Sequence, residues 1–365
     1  MATIFNYHKN IELVISILVD LCNYMNLHSK FILCLSNMLL FSFLFSMTFG
    51  ESGNQEISRH TIPVSSSSNV EKSVIIMFDR GYDTQFTNAK PILDKYRFKV
   101  SFFVICSFID GNGYYKLANG REELEDRFTP MNWDQIRLLS KEGHDIESHG
   151  IEHRYLLNLS SSQALEDEIQ GSKNCLEDQG LKPTYFQIPF NSGADNSTIL
   201  KMISQYYDFG LSGHSRLMFL NCDGWINYGF ETRSYKYQED CNPYSDDGTV
   251  TRTHKYAIRE WSHDRFHTRI NNNYTTLDPH GTEISNMLFT EFVNLVEAQN
   301  QYNIKANKIV AIPVVGYHSI DTYTKYDTSP ELFDREMQYL HTNGFNVLKL
   351  TDLGYDDNEH HFFIK

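Results

Sequence analysis

The run Ser73-Val74-Ile75-Ile76-Met77-Phe78, ending in Asp79, constrains the fold more than any other stretch of this chain. It shows no apolar–polar alternation, so it predicts a strand covered on both faces, the kind found in parallel sheets flanked by helices. The pattern then repeats. Residues 84–96 predict a helix, Phe98–Cys106 a strand, Trp133–Glu142 a helix stopped by Gly143, and His144–Ser148 a strand. Ser160–Gln179 predicts a long amphipathic helix with Gly180 past its end, followed by a strand over Thr184–Phe190. A helix over 195–206 leads to a short strand near Phe209. The order resumes with helix 285–302, strand Lys308–Tyr317, helix 330–342 and strand Phe345–Leu350. Serial β-then-α units of this kind build a parallel sheet or a barrel. The span near 212–284, rich in Asn, Tyr, Asp and Arg with weak periodicity, is too long for an ordinary loop and reads as an insertion holding short strands.

In such folds reactive groups gather at the carboxyl ends of strands. Asp79, His149, Pro189 with its neighbours and His318 all fall there. His149 and His153 stand at i and i+4, a spacing that on a helical turn sets both imidazoles on one face, and neutral imidazole is the commonest ligand for zinc-like ions. Together these groups suit metal-assisted hydrolysis. A metal polarises a carbonyl and acidifies its bound water, Asp79 takes the water proton, and His318 protonates a leaving amine. Taken singly, each has a plainer reading: Asp79 caps the next helix, and His318 is a core histidine at a strand end.

Composition narrows the partners. With 41% hydrophobic and 14% aromatic residues, the 365-residue chain can bury a sizeable core. A net charge of −14 and no basic stripe argue against nucleic acid. The six Cys include no C-x-x-C, which argues against a thiolate metal site; Cys222 and Cys241 either close a loop as a disulfide or stay free. Phe31–Gly50 holds no charged residue and follows Lys30, the pattern of a signal peptide or, uncleaved, of a membrane anchor. The expected organisation is therefore a signal or anchor over 1–50, a Ser-rich linker over 51–71, a catalytic-type domain over 72–355 and a tail over 356–365. That places the domain outside the cell, secreted or anchored through residues 31–50.

Four motifs in this order carry a resemblance. They are Met77-Phe78-Asp79-Arg80-Gly81, then Ser148-His149-Gly150-Ile151-Glu152-His153 led by Gly143-His144, then Gln187-Ile188-Pro189-Phe190, then Gly316-Tyr317-His318-Ser319. The chain resembles the polysaccharide deacetylase family, the NodB-homology domain of carbohydrate esterase family four. The resemblance implies an α/β fold, a distorted (β/α) barrel of about seven parallel strands, and removal of acetyl groups from N-acetylated sugars. It also implies Asp79 as base, His149 and His153 as ligands of a divalent metal such as zinc, and His318 as acid.

Two departures stand out. The family's second aspartate, its third metal ligand, is Arg80 here, and its strand-end arginine is Gln187. Arginine cannot ligate a metal and sets a positive charge beside it, so three ligands become two unless Asp83 or Asp79 itself turns in. Arg80, Gln187, Pro189 and Phe190 become candidates for substrate contact, with Trp261 of Arg259-Glu260-Trp261-Ser262-His263-Asp264 as a sugar-facing ring. The leading expectation is a hydrolase of a non-peptide carbon–nitrogen bond, acting on an acetylated glycan or another small amide. The alternatives are an impaired, glycan-binding relative at the cell surface and a secreted scaffold.

Overall fold

A computed structural model describes residues 70–365 except 112–113, 117–121, 125–128, 195, 215–216, 221–254, 257, 264–280, 323–325 and 360. Its main strands are β1 (Ser73–Phe78), β2 (Ser101–Val104), β3 (Asp145–Ser148), β4 (Tyr185–Gln187), β5 (Phe209–His214), β6 (Ile258–Ser262), β7 (Val314–Tyr317) and β8 (Asn346–Leu348). The helices that bear on the site are α1 (Lys90–Tyr96), α2 (Trp133–Lys141), α3 (Ser162–Asp178), α4 (Ser197–Tyr206), α5 (Thr282–Ala298) and α6 (Pro330–Thr342).

Strands β1 to β7 follow one another around a closed, all-parallel barrel, and β7 returns to pair with β1. Closure uses only part of β1. Its Ile75–Phe78 half pairs with Val314–Tyr317, whereas Ser73–Ile75 pairs with β8 on the same edge. The barrel is therefore distorted, as the resemblance implies. Every residue of β1 is fully buried, and the strand feeds two cores. Ile75 and Met77 join Phe103, Tyr185, Leu211 and Val314 in one; Val74, Ile76 and Phe78 join residues of α1, α2, α5 and α6 in the other. Phe78 stacks on Phe102 at 5.0 Å and meets Phe333 of α6 edge-on at 5.7 Å.

Local chemistry sets the helix starts. Asn132 and Gln135 form a reciprocal capping box on α2, Ser161 caps α3, and Ser329 with Pro330 opens α6. The strand expected over Lys308–Tyr317 is split by Pro313, which lacks the ladder donor, into Ala311–Ile312 and β7.

Two expectations change. The span read as an insertion contains β6, a full member of the barrel. The expected tail instead forms a hairpin of Leu353–Asp356 with His361–Ile364, held down by Phe362 at 1% exposure. The disulfide found joins Cys106 to Cys175 across 69 residues; Cys222 and Cys241 lie outside the described residues. Cys175→Ser is expected to cost about 4 kcal/mol from the loop-closure entropy of the unfolded chain, checked by urea unfolding. No described helix is long and apolar enough to cross a membrane, and residues 1–69, with the expected anchor, lie outside the described residues.

Candidate active site

The carboxyl ends of the strands carry the side chains singled out by sequence. Asp79 follows β1 and His318 follows β7, and because these strands are neighbours the two residues meet. The Asp79 amide donates to the Tyr317 carbonyl at 2.8 Å, and Asp79 Oδ2 lies 3.8 Å from His318 Nε2. Both residues are buried. At this distance the carboxylate and the imidazole do not share a hydrogen bond directly, but both are placed to reach one water or one substrate group between them.

His149 and His153 also converge, but not on a helical turn. The chain leaves β3 into a loop in which Gly150 (φ +88°) and His153 (φ +56°) take left-handed backbone, and the Nε2 atoms come within 3.0 Å. Buried groups hold this loop from below. Glu168 of α3 accepts the amides of Glu152 and Arg154, Ser148 Oγ accepts that of Gly150, and the Cys106 amide donates to the Gly150 carbonyl. A Cβ on Gly150 would come within 2.4 Å of Glu168 Oε1, so the position takes only glycine. His149 Nδ1 lies 3.1 Å from the Gln187 carbonyl, which can only accept; Nδ1 carries the proton and the Nε2 lone pair faces His153. Burial, then the Arg80 charge, pushes His149 down to about 3, and burial lowers His153 well below its ordinary range. Both rings are neutral at pH 7, and the contact between them is an N–H···N hydrogen bond.

Stability follows from these buried groups. Burial, then Lys99, lowers His144 to about 4, so the share that His144 and His149 contribute is complete above 6.5 and is lost as pH falls toward 3. Glu147 and Glu168 act the other way. Burial raises them to about 8 and about 7, so their share is complete below 4.5 and is lost as pH rises through those values. Between 4.5 and 6.5 the two sets oppose each other. Urea midpoints are expected to fall on both sides of that window.

The remaining candidates separate. Arg80 sits at φ +71°, donates from Nη1 to the Tyr82 hydroxyl at 3.1 Å, and its charge reaches His149, His153 and Tyr155. Arg80 does not pair with Glu147, which accepts the Thr184 and Tyr185 amides. Asp83 accepts Gln135 Nε2 at 2.7 Å and does not join the imidazoles. Gln187 donates to Glu260 through Nε2, and Pro189 is buried. Phe190, at φ +57°, stacks flat on Tyr155 at 3.9 Å and touches the His153 ring at 4.4 Å. Trp261 needs correcting. It lies in the core at 6% exposure, edge-on to His263, and offers no face to a sugar.

Among the described residues no three His, Cys, Asp or Glu side chains come together as a metal site. The residues present therefore do not fit the three-ligand centre that the resemblance implies: two imidazoles bond each other and a guanidinium acts on both. Sequence reasoning missed Gln85, whose amide bridges the Asp79 and His318 carbonyls, because its strand-to-strand reach leaves no local signal. It also missed the buried His263–Glu336–Tyr317 chain, which ties α6 to β6 and β7.

Residues 66–207 match the family model for polysaccharide deacetylase. Over 131 residues the chain is 29% identical to the Bacillus subtilis polysaccharide deacetylase-like protein YxkH, covering 36% of this chain and 40% of that one. Over 134 residues it is 28% identical to the peptidoglycan-N-acetylglucosamine deacetylase of Bacillus cereus, covering 36% and 52%. The chain thus spans about half or less of the curated relatives it matches. The solved peptidoglycan deacetylase PdaC of Bacillus subtilis aligns over 78% of this chain and 90% of that one, at 15% identity and a TM-score of 0.42. The matched segment, less than half of the chain, holds Asp79, His149, His153 and Gln187 at the ends of β1, β3 and β4, and over it the chain is similar to the polysaccharide deacetylase family.

Proposed function

We propose that this protein is a hydrolase that removes acetyl groups from an N-acetylated polysaccharide or oligosaccharide. The observation that carries the reading is the Asp79–His318 pair, 3.8 Å apart at the mouth of the barrel. Asp79 takes a proton from water as the water oxygen bonds to the acetyl carbon. The carbon–nitrogen bond then breaks as His318 gives a proton to the departing nitrogen, releasing acetate and a free amine. Arg80 polarises the acyl oxygen, a role its charge beside the imidazoles supports. Phe190 and Tyr155, stacked next to His153, form the wall against which a sugar ring rests. The domain works outside the cell, exported or anchored by residues 31–50.

The test is acetate release from a panel of N-acetylated oligosaccharides and peptidoglycan fragments. Binding without release would favour the second reading, a glycan-binding relative, for which the missing third ligand speaks. No binding and no release would end both.

A further inference from the structure

Gln85 is a buried amide for which the reaction above has no use. It opens a π-helical turn, Gln85–Ala89, and is fully inaccessible. Turns of this kind recur at functional sites. Its Nε2 donates to the Asp79 carbonyl at 2.6 Å and to the His318 carbonyl at 2.9 Å. Turned over, the amide would point Oε1 at two carbonyl oxygens, so its orientation is fixed by chemistry. In that orientation Oε1 is buried with no hydrogen-bond partner among the described residues, a penalty that packing alone gives no reason to keep.

The bridge sits where the strands stop holding each other. The amide of Asp79 bonds to Tyr317, and beyond that point the chain leaves β1 and β7 for separate loops. Two neighbours of Gln85 continue the seam. Thr84 Oγ1 accepts the Ile320 amide at 3.3 Å, and Asn88 Nδ2 donates to the Ile320 carbonyl at 2.8 Å.

We infer that Gln85 is a positioning residue: by tying the two carbonyls through one amide, it sets the separation at which Asp79 and His318 face each other. Its kinetic consequence rests on the acid–base roles proposed above; the geometric claim does not. Gln85→Met keeps the length and burial and removes both donors. A crystal structure of this variant is expected to show Asp79 Oδ2 and His318 Nε2 moved apart, beyond the 3.8 Å they hold now. Its kcat for acetate release is expected to fall about 10- to 100-fold, with KM within about two-fold. Asn88→Leu, which cuts the seam without touching the bridge, is expected to lower Tm yet keep kcat within about three-fold.

Gln85→Glu supplies a readout that a merely structural role would not move. Its side chain donates only while protonated, so kcat should decline with rising pH along a limb absent from the wild type. It also carries the test if the Met variant fails to fold. An unchanged separation in Gln85→Met overturns the inference; a widened one with unchanged kcat supports the geometric claim and overturns the acid–base roles on which the kinetic consequence rests. If the wild type releases no acetate, the hydrolase reading fails, while the paired crystal structures still decide whether Gln85 sets the separation.

Discussion

Asp79→Asn is expected to lower acetate release by about 10²- to 10⁴-fold while binding of the glycan changes little. Asn matches the shape of the buried carboxylate, so the packing at the end of β1 survives. What disappears is the only charge and the only proton acceptor that the side chain contributes opposite His318, 3.8 Å away. Turnover at saturating substrate, with affinity measured separately by calorimetry, checks this. A rate equal to the wild type's would remove Asp79 as the base. Loss of affinity in step with rate would show instead that the carboxylate grips the ligand.

Arg80→Asp is expected to turn a two-imidazole site into one that holds zinc. A unit positive charge at roughly 6 Å from a divalent ion costs about 5 kcal/mol at an effective dielectric near 20. That is more than three decades of affinity, before any gain from a new carboxylate ligand. The backbone accepts the change, since φ is +71° and Asp tolerates left-handed geometry better than most residues. The His149–His153 hydrogen bond must open, because His153 Nε2 has to give up its proton to bind a metal. Zinc titration by calorimetry, with metal content of both purified proteins, measures the effect. Equal content in wild type and variant would show that Arg80 does not govern metal at this site. Wild-type activity that survives chelation would point to chemistry carried by the side chains alone.

Much of this fold is legible along the chain, for reasons visible in single elements. β1 could be read because a strand buried on both faces needs an unbroken apolar run. β6 could not, because its five residues, Ile258-Arg259-Glu260-Trp261-Ser262, put two charges in the barrel wall and lie in a stretch of weak periodicity. The convergence of His149 and His153 was legible in their spacing but for a different reason from the one spacing offers. A loop with two left-handed residues, rather than a helical turn, brings the rings together. Trp261 shows the limit of residue type alone: the same ring suits a core and a sugar platform, and only burial separates them. Gln85 lay in an expected helix and was silent, since its role exists only once residues 233 positions apart are adjacent.

The way β1 divides one edge between β7 and β8 has a consequence for how the molecule is made. The first barrel strand to be synthesised owes that whole edge to the last two. Until Val314 and then Leu348 have emerged, Ile75 and its neighbours present bare amides and carbonyls beside an apolar surface, which is the setting for mispairing with other nascent chains. Completion of the barrel edge therefore waits on pairing between segments far apart in sequence, a step of high contact order. Chains truncated just before Phe345 should accumulate as soluble aggregates or chaperone-bound species, even though every residue at the mouth of the barrel has already been made.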